Sequence, residues 1–432
     1  MKISKYNTFA SYKGKIIIYN SLWNTCIMTN ADSVLYFILK SREEEKLDSL
    51  GTEILKQLHD KRFIVNSSVD EIKELQRLLN STNNRGDYYI LTINPTLSCN
   101  FRCWYCYENH SNKPLMSHND ILSITNLIER ILRNPSINHL AINFFGGEPL
   151  LGFSKVIKPI TESALQTSKK YKKKYSISLT TNGYLLSHEQ ALFFQKHNIS
   201  NYQITIDGNR ERHNEIRTDK KKSETYDKII KNVKYILSIG CNVILRLNIS
   251  DQTNMDVPLL LKDFSDISPK EKRNLCFSVQ KVWQASDAVF ETVRNIVNEI
   301  RTYGYKCQPF ELSYYNIHNT CYSDKTNHLI INPHGEIFGC TAREFNKENI
   351  EGKLHQDGSI IYNEKRKTRI QMSPLENVEC RQCFILPMCI GGCKQRLLEN
   401  KKFDRCPHGF SESDKQRFAE QYILEKLNNI QL

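Results

Sequence analysis

Between residues 88 and 305, apolar runs of strand length alternate with longer stretches in which apolar residues recur every three or four positions. These are the periods of a strand and of an amphipathic helix. The strand-like runs are Tyr88 to Asn94, His139 to Phe145, Ser176 to Thr181, Tyr202 to Asp207, Asn242 to Asn248 and Cys276 to Val282. Helical patterns lie at His118 to Arg133, Lys155 to Thr167, Ser187 to His197, Ser223 to Leu237, Pro258 to Phe264 and Phe290 to Tyr303. Such alternation is the signature of parallel βαβ units. Six units predict an α/β fold built on an open, partial (β/α)6 TIM-like barrel, whose functional loops leave the C-terminal strand ends.

The flanking segments read differently. Lys15 to Asn20 and Thr25 to Thr29 pattern as two strands around a turn, followed by helices at Ala31 to Leu39 and Leu50 to His59. A strand at Arg62 to Val65 and a helix at Val69 to Leu79 lead into the polar linker Asn80 to Gly86. Beyond the barrel, Leu329 to Ile331 and Ile337 to Gly339 form a hairpin about Asn332-Pro333-His334-Gly335. Ser413 to Leu427 carries an apolar helical stripe, expected to pack back on the barrel. The expected division is 1–85, 86–305, 306–410 and a final helix in 411–432.

Composition narrows the setting. The chain has 432 residues and a net charge of +13, enough length for two or three domains. Its basic residues are scattered over helix faces, with short runs only at Lys169 to Lys174 and Lys220 to Lys222, and no nucleic-acid fold motif accompanies them. An acidic peptide is the preferred partner for the excess charge. No run of 18 apolar residues exists and the first residues lack a signal-peptide core, so the expectation is a cytoplasmic protein with no membrane partner. Fourteen cysteines in that setting point to metal rather than disulfides.

Cys99, Cys103 and Cys106 lie within eight residues directly after the first barrel strand. Three thiolates can hold a 4Fe-4S cluster and leave its fourth iron open. A structural zinc site completed by a distant ligand, or reduced cysteines crowded by chance, are the bland alternatives. Cys26, Cys241 and Cys276 fall in strand-like runs and read as small buried hydrophobes.

The C-x3-C-x2-C spacing, with the aromatic Tyr105 before the last cysteine, resembles the signature of the radical S-adenosylmethionine (radical SAM) superfamily. The resemblance implies that S-adenosylmethionine binds the open iron and yields a 5′-deoxyadenosyl radical, so Cys99, Cys103 and Cys106 would carry the catalysis. It further implies cofactor contacts from Tyr105 of the cysteine motif, Gly146, Gly147 and Glu148 of the GGEP segment, Asn182 after the third strand, and Thr205, Asp207 and Arg217 after the fourth. Arg246, a charge inside an apolar strand, reads either as a cofactor contact or as a buried ion pair.

Cys321, Cys340, Cys380, Cys383, Cys389, Cys393 and Cys406 match the seven-cysteine pattern of the SPASM domain found after such barrels. By that resemblance Cys380, Cys383, Cys389 and Cys406 close one auxiliary 4Fe-4S cluster, while Cys321, Cys340 and Cys393 hold a second with an open iron. Cys307 is an outside candidate for its fourth ligand. The N-terminal pattern resembles the small winged-helix-like peptide-recognition domain of peptide-modifying radical SAM enzymes. The implied function is maturation of a ribosomally made precursor peptide (a RiPP), with hydrogen abstraction leading to a thioether or carbon cross-link, oxidation or epimerisation. The implied electron donor is of flavodoxin or ferredoxin type. A sulfatase-maturing enzyme is the nearest alternative, although Thr341 follows Cys340 where that family has an acid. A zinc-stabilised binding protein is the alternative of another class.

Overall fold

Every second residue of β10 (Val243–Ile249) is apolar and buried, Val243, Leu245, Leu247 and Ile249 all facing one way, while Arg246 and Asn248 face the other. This alternation explains the larger part of the molecule. The computed structural model describes all residues except 109–113, 220, 222, 254, 309–314, 401–404 and 431–432. Lys220 and Lys222 of the second lysine run thus lie outside the described residues. The chain divides into two compact units, residues 86–310 with 327–368, and residues 1–85 with 311–326 and 369–432.

In the first unit β6 (Tyr88–Ile93), β7 (His139–Phe144), β8 (Lys174–Thr181), β9 (Ile199–Ile206), β10, β11 (Leu275–Lys281) and the stub β12 (Lys306–Cys307) run parallel in chain order. Ile142, Phe144, Ile177, Leu179, Ile204, Ile206, Phe277 and Val279 share one core with the strand-facing sides of the intervening helices. These helices include His118–Arg133 and Tyr226–Ser238, whose Ile124, Leu127, Ile128, Ile229, Val233 and Ile236 enter the same core. The opposite strand face is polar: Thr92, Asn143 and Ser178 stand in register, as do Thr205, Arg246 and Ser278. A polar inner face is what an open barrel with a ligand-bearing lumen requires.

The hairpin about Gly335 is present, with Gly335 at φ +69° and strands β13 (His328–Ile331) and β14 (Glu336–Phe338). Its setting differs from expectation. β13 pairs parallel to β6, and the sheet runs on through β15 (Gly352–Leu354) and β16 (Ile360–Tyr362), which periodicity did not predict. This part of the cysteine-rich segment therefore belongs to the barrel sheet.

In the second unit the short β1 (Lys2–Ile3) and β5 (Ile64–Val65) pair antiparallel, and β2 (Asn7–Tyr12), β3 (Lys15–Asn20) and β4 (Thr25–Asn30) form an antiparallel sheet in that order. Helices α1 (Val34–Ser41) and α2 (Thr52–Asp60) cover it, and α3 (Glu71–Asn83) is capped by Asp70, which accepts from the amides of Ile72 and Lys73. The C-terminal helix, Glu412–Ile430, buries Phe418, Ala419, Tyr422 and Ile423 against Ala10, Ile17 and Tyr19. Its apolar stripe is thus covered by the N-terminal sheet, not by the barrel as its pattern led us to expect. Among the described residues no helix is long and apolar enough to cross a membrane.

Candidate active site

The three-cysteine loop leaves the C-terminal end of β6 and is pressed against the turn that follows β7. Gly146 and Gly147 have φ of +85° and +49°, and a Cβ on Gly147 would lie 2.2 Å from the Ser98 carbonyl oxygen. Only glycine allows both the backbone angle and this approach. The Glu148 amide then donates to the same Ser98 oxygen at 2.9 Å. The Glu148 carboxylate is fully buried and accepts from Thr181 Oγ1 at 2.7 Å, the Asn182 amide at 2.8 Å and the Leu150 amide at 3.0 Å. It ties the ends of β7 and β8 together and keeps one acceptor direction of four. Burial raises its pKa despite these donors. Asn182 adds a second tie, donating from Nδ2 to Asn100 Oδ1 at 2.7 Å within the cysteine loop.

A second knot joins the loop to β9 and β10. The Tyr105 hydroxyl donates to Asp207 Oδ2 and accepts from Arg217 Nη1 at 2.8 Å and Asn248 Nδ2 at 3.0 Å. Asp207 and Arg217 are themselves 3.7 Å apart and buried. His213 Nδ1 accepts from the Asp207 amide at 3.3 Å, and its Nε2 meets Thr225 Oγ1 at 3.2 Å. Burial lowers the His213 pKa well below its ordinary value, so the ring is neutral and works as a fixed spacer. Arg246 donates from Nε to Asn248 Oδ1 at 2.8 Å. Its charge also reaches the buried Asp207, whose pKa burial raises and the Arg217 and Arg246 guanidiniums pull back.

Of the residues read from the sequence, Tyr105, Gly147, Glu148, Asn182, Asp207 and Arg217 are thus brought together as the frame of one loop. Thr205 and Arg246 stand side by side on the inner barrel face. Sequence reasoning did not single out Asn94, Asn100 or Asn248. Asn94 is fully buried beside Gly146 and neither side-chain polar atom has a partner; Asn100 Nδ2 and Asp207 Oδ1 are likewise buried and unpartnered. Such atoms are rare unless a ligand or water completes them.

The three thiols are partly buried, and burial pushes Cys99 up to about 12, Cys106 up to about 11, and Cys103 upward. A cationic centre is what would hold them as thiolates. The Phe101 amide lies 3.4 Å from Cys99 Sγ and Asn182 Nδ2 lies 4.0 Å from it. Three soft sulfur donors with N–H groups aimed at one of them fit an iron–sulfur cluster with an open position.

In the other unit Cys380, Cys383, Cys389 and Cys406 line one cavity of about 20 Å³ with Glu379, Phe410 and Lys415. Cys380 is pushed up to about 11 and Cys389 to about 12, burial being the main cause. Among the described residues no three His, Cys, Asp or Glu side chains converge on a single-ion site. Four soft sulfur donors on one cavity suit an iron–sulfur cluster by their chemistry, while the space between them, close to that of one water, would have to widen to admit it. Cys321 and Cys393 lie in the same unit, and Cys340 lies in the barrel unit, where its Sγ is 3.4 Å from the Ala342 amide. Cys307 is buried in the barrel core beside Phe277, which counts against its candidacy as a cluster ligand. Cys26 is exposed on β4 and Cys276 only half-buried, so of the three cysteines read as buried hydrophobes only Cys241 is one.

Residues 93–264 match the radical SAM superfamily. The radical SAM cyclopropyl synthase TigE of Paramaledivibacter caminithermalis is 22% identical over 443 residues, covering 90% of this chain and 89% of that one. A cysteine-type anaerobic sulfatase-maturating enzyme of Clostridium novyi is 23% identical over 364 residues, covering 76% and 94%. Among solved structures, Streptococcus suis SuiB bound to its precursor peptide SuiA superposes with a TM-score of 0.51 at 18% identity, covering 94% of this chain and 99% of that one. The enzyme anSMEcpe with bound AdoMet superposes with 0.59 at 18%, covering 79% and 98%. These matches set aside the non-catalytic zinc-protein alternative.

Proposed function

We propose, on the premise that this chain carries a radical SAM domain across residues 93–264 and is a radical SAM enzyme, that it is a peptide maturase which abstracts hydrogen from a residue of a ribosomally made precursor. The observation that carries the reading is the clamping of the three-thiol loop onto the ends of β7, β8, β9 and β10. Gly147 sits on Ser98, Asn182 on Asn100, and Asp207, Arg217 and Asn248 on Tyr105. When bound, the cluster and S-adenosylmethionine supply the reductive cleavage and the radical. The chain's own residues hold and orient. Cys99, Cys103 and Cys106 provide thiolates. Glu148 offers its remaining acceptor to an ammonium, Asn94 and Asp207 offer unpartnered polar atoms, and Thr205 and Arg246 face the lumen where a carboxylate or ribose would lie. The Cys380, Cys383, Cys389, Cys406 cavity would hold one auxiliary cluster.

A peptide substrate is favoured by the precursor peptide bound to SuiB and the Kp18Cys peptide bound to anSMEcpe. It is favoured too by β4, an edge strand beside an apolar groove of about 490 Å³ lined by Ile27, Met28, Leu35, Ile54 and Leu58. An extended leader segment would add to that edge through main-chain hydrogen bonds.

The sulfatase-maturating relatives support a second reading. Thr341 after Cys340 weighs against it, since its side chain offers no carboxylate as a base. Incubating the reconstituted enzyme with a sulfatase-derived cysteine peptide separates the two: conversion of the cysteine to an aldehyde would establish the second reading. An unchanged cysteine, with modification of a short peptide encoded beside this gene, would establish the first.

A further inference from the structure

The three-stranded sheet has β4 at one edge and β2 at the other, and the same two helical layers flank both. Phe9, Ile16, Ile18 and Ile27 face the α1 and α2 side, while Ala10, Ile17 and Tyr19 face the C-terminal helix. The groove at β4 is lined mainly by aliphatic side chains. The one at β2, of about 590 Å³, differs in chemistry: Tyr36, Lys40 and Arg42 line its α1 side, and Phe384, Gln416 and Arg417 its C-terminal-helix side. Its floor is a strand with main-chain groups to offer. The Ser21 amide donates to the Tyr6 carbonyl at 3.2 Å, so Thr8 and Ala10 turn their main-chain groups toward β3 and the alternate residues turn theirs away. The Asn7 amide bonds the Ser4 carbonyl at 3.4 Å and the Ser11 amide bonds Glu420 Oε1 at 3.4 Å. Phe9, midway between them, turns its N–H and C=O toward the groove. Lys40 donates to the Tyr36 hydroxyl at 2.7 Å and Arg42 to the Lys5 carbonyl at 2.8 Å, both neutral acceptors. Each cation therefore keeps most of its N–H groups and its full charge. Arg417, by contrast, is paired with Asp414 at 2.7 Å.

We propose that the β2 groove takes a second segment of the precursor peptide, extended and acidic at every other residue, which adds to the sheet edge at Phe9. The inference rests on the peptide-maturase reading. A strand laid along β2 points alternate side chains at the two walls. Those on the α1 side meet Lys40 and Arg42, whose charge-assisted hydrogen bonds favour carboxylates. Those on the other side meet Phe384 and the Gln416 stem, which favour apolar groups. The acid lining this groove, Glu420, is turned to the Ser11 amide at the end of the strand, away from the two cations of α1. An acidic segment also suits a chain of net charge +13. The aliphatic groove at β4 selects a different, apolar segment, so the two edges of one sheet read two parts of one peptide.

Fluorescence anisotropy on the reconstituted full chain tests it, with a labelled decapeptide of alternating Glu and Val as the probe. The probe should bind at least about tenfold more tightly than the matching peptide of alternating Lys and Val. Lys40→Glu combined with Arg42→Glu should reverse that order, and Lys40→Arg combined with Arg42→Lys should keep it. Probes N-methylated either at every Glu or at every Val separate strand addition from charge alone, because only one set of amides faces β2. One methylated probe should lose binding and the other retain it. Tm reports that each variant is folded. Equal binding of the Glu and Lys peptides by wild type, an unchanged order in the double Glu variant, or equal behaviour of the two methylated probes would overturn the inference. Modification of an intact precursor, read by mass spectrometry, decides the peptide-maturase reading separately.

Discussion

Gly147 is the single residue on which the site geometry leans hardest. Replacing it with alanine sets a Cβ 2.2 Å from a backbone oxygen at φ +49°, a cost on the order of 3 kcal/mol from left-handed strain and overpacking together. We expect Gly147→Ala to lower Tm and to abolish S-adenosylmethionine cleavage, measured by deoxyadenosine release; full cleavage would mean that the loop is not clamped there. Tyr105→Phe removes a hydroxyl with three partners, so it should cost about 1–3 kcal/mol and weaken cofactor binding. Glu148 tests the electrostatics. Burial raises its carboxyl pKa, so the folded state binds the proton more tightly than the unfolded state does. Its stabilising contribution is full below the ordinary carboxylate range and is lost as pH rises through the raised value. In metal-free protein the Tm advantage of wild type over Glu148→Gln should therefore narrow as pH rises above the ordinary carboxylate range. A widening advantage would show that the three donors outweigh burial. At this scale the motif residues were legible because the radical SAM resemblance named them. Asn94 and Asn100 were not, since a lone asparagine beside a strand end or between two cysteines has no periodicity to betray it.

At the scale of elements, β6 to β11 were legible because the hydrophobic face of each strand is continuous and bounded by polar turns; their bounds moved by only a few residues. β2 was missed because Asn7–Tyr12 carries only Phe9, Ala10 and Tyr12 as apolar residues, and its place is set by pairing with β3. The two-residue β12 is too short for any period to register, and β15 and β16 are three residues each. The partner of the C-terminal helix was beyond reach for a different reason: an apolar stripe states that something covers it, not what. The structure supplies that partner, and the consequence is measurable. Tyr422→Ala deletes a buried ring that packs 6.0 Å from Tyr19, which should cost about 3–5 kcal/mol. Hydrogen exchange should then speed up in β2 and β3, and unchanged protection there would contradict the packing.

For the whole molecule, the division of the chain into units cuts across the order of its segments. Residues 327–368 join the barrel, while residues 369–432 share cores with residues 1–85: Cys380 and Leu386 pack with Tyr6, Leu22, Leu75 and Leu79. Linear reading could not foresee this, because spacing along a chain carries no information about which distant segment completes a core. It also couples the proposed leader-binding sheet to the proposed auxiliary-cluster cavity within one folded unit. The most direct test of the central claim is anaerobic iron and sulfide content, with deoxyadenosine production after reduction, in wild type and in a variant with Cys99, Cys103 and Cys106 all changed to Ala. Three clusters predict about twelve irons falling to about eight with complete loss of deoxyadenosine. Zinc in place of iron, or cleavage that survives the triple substitution, would contradict the account.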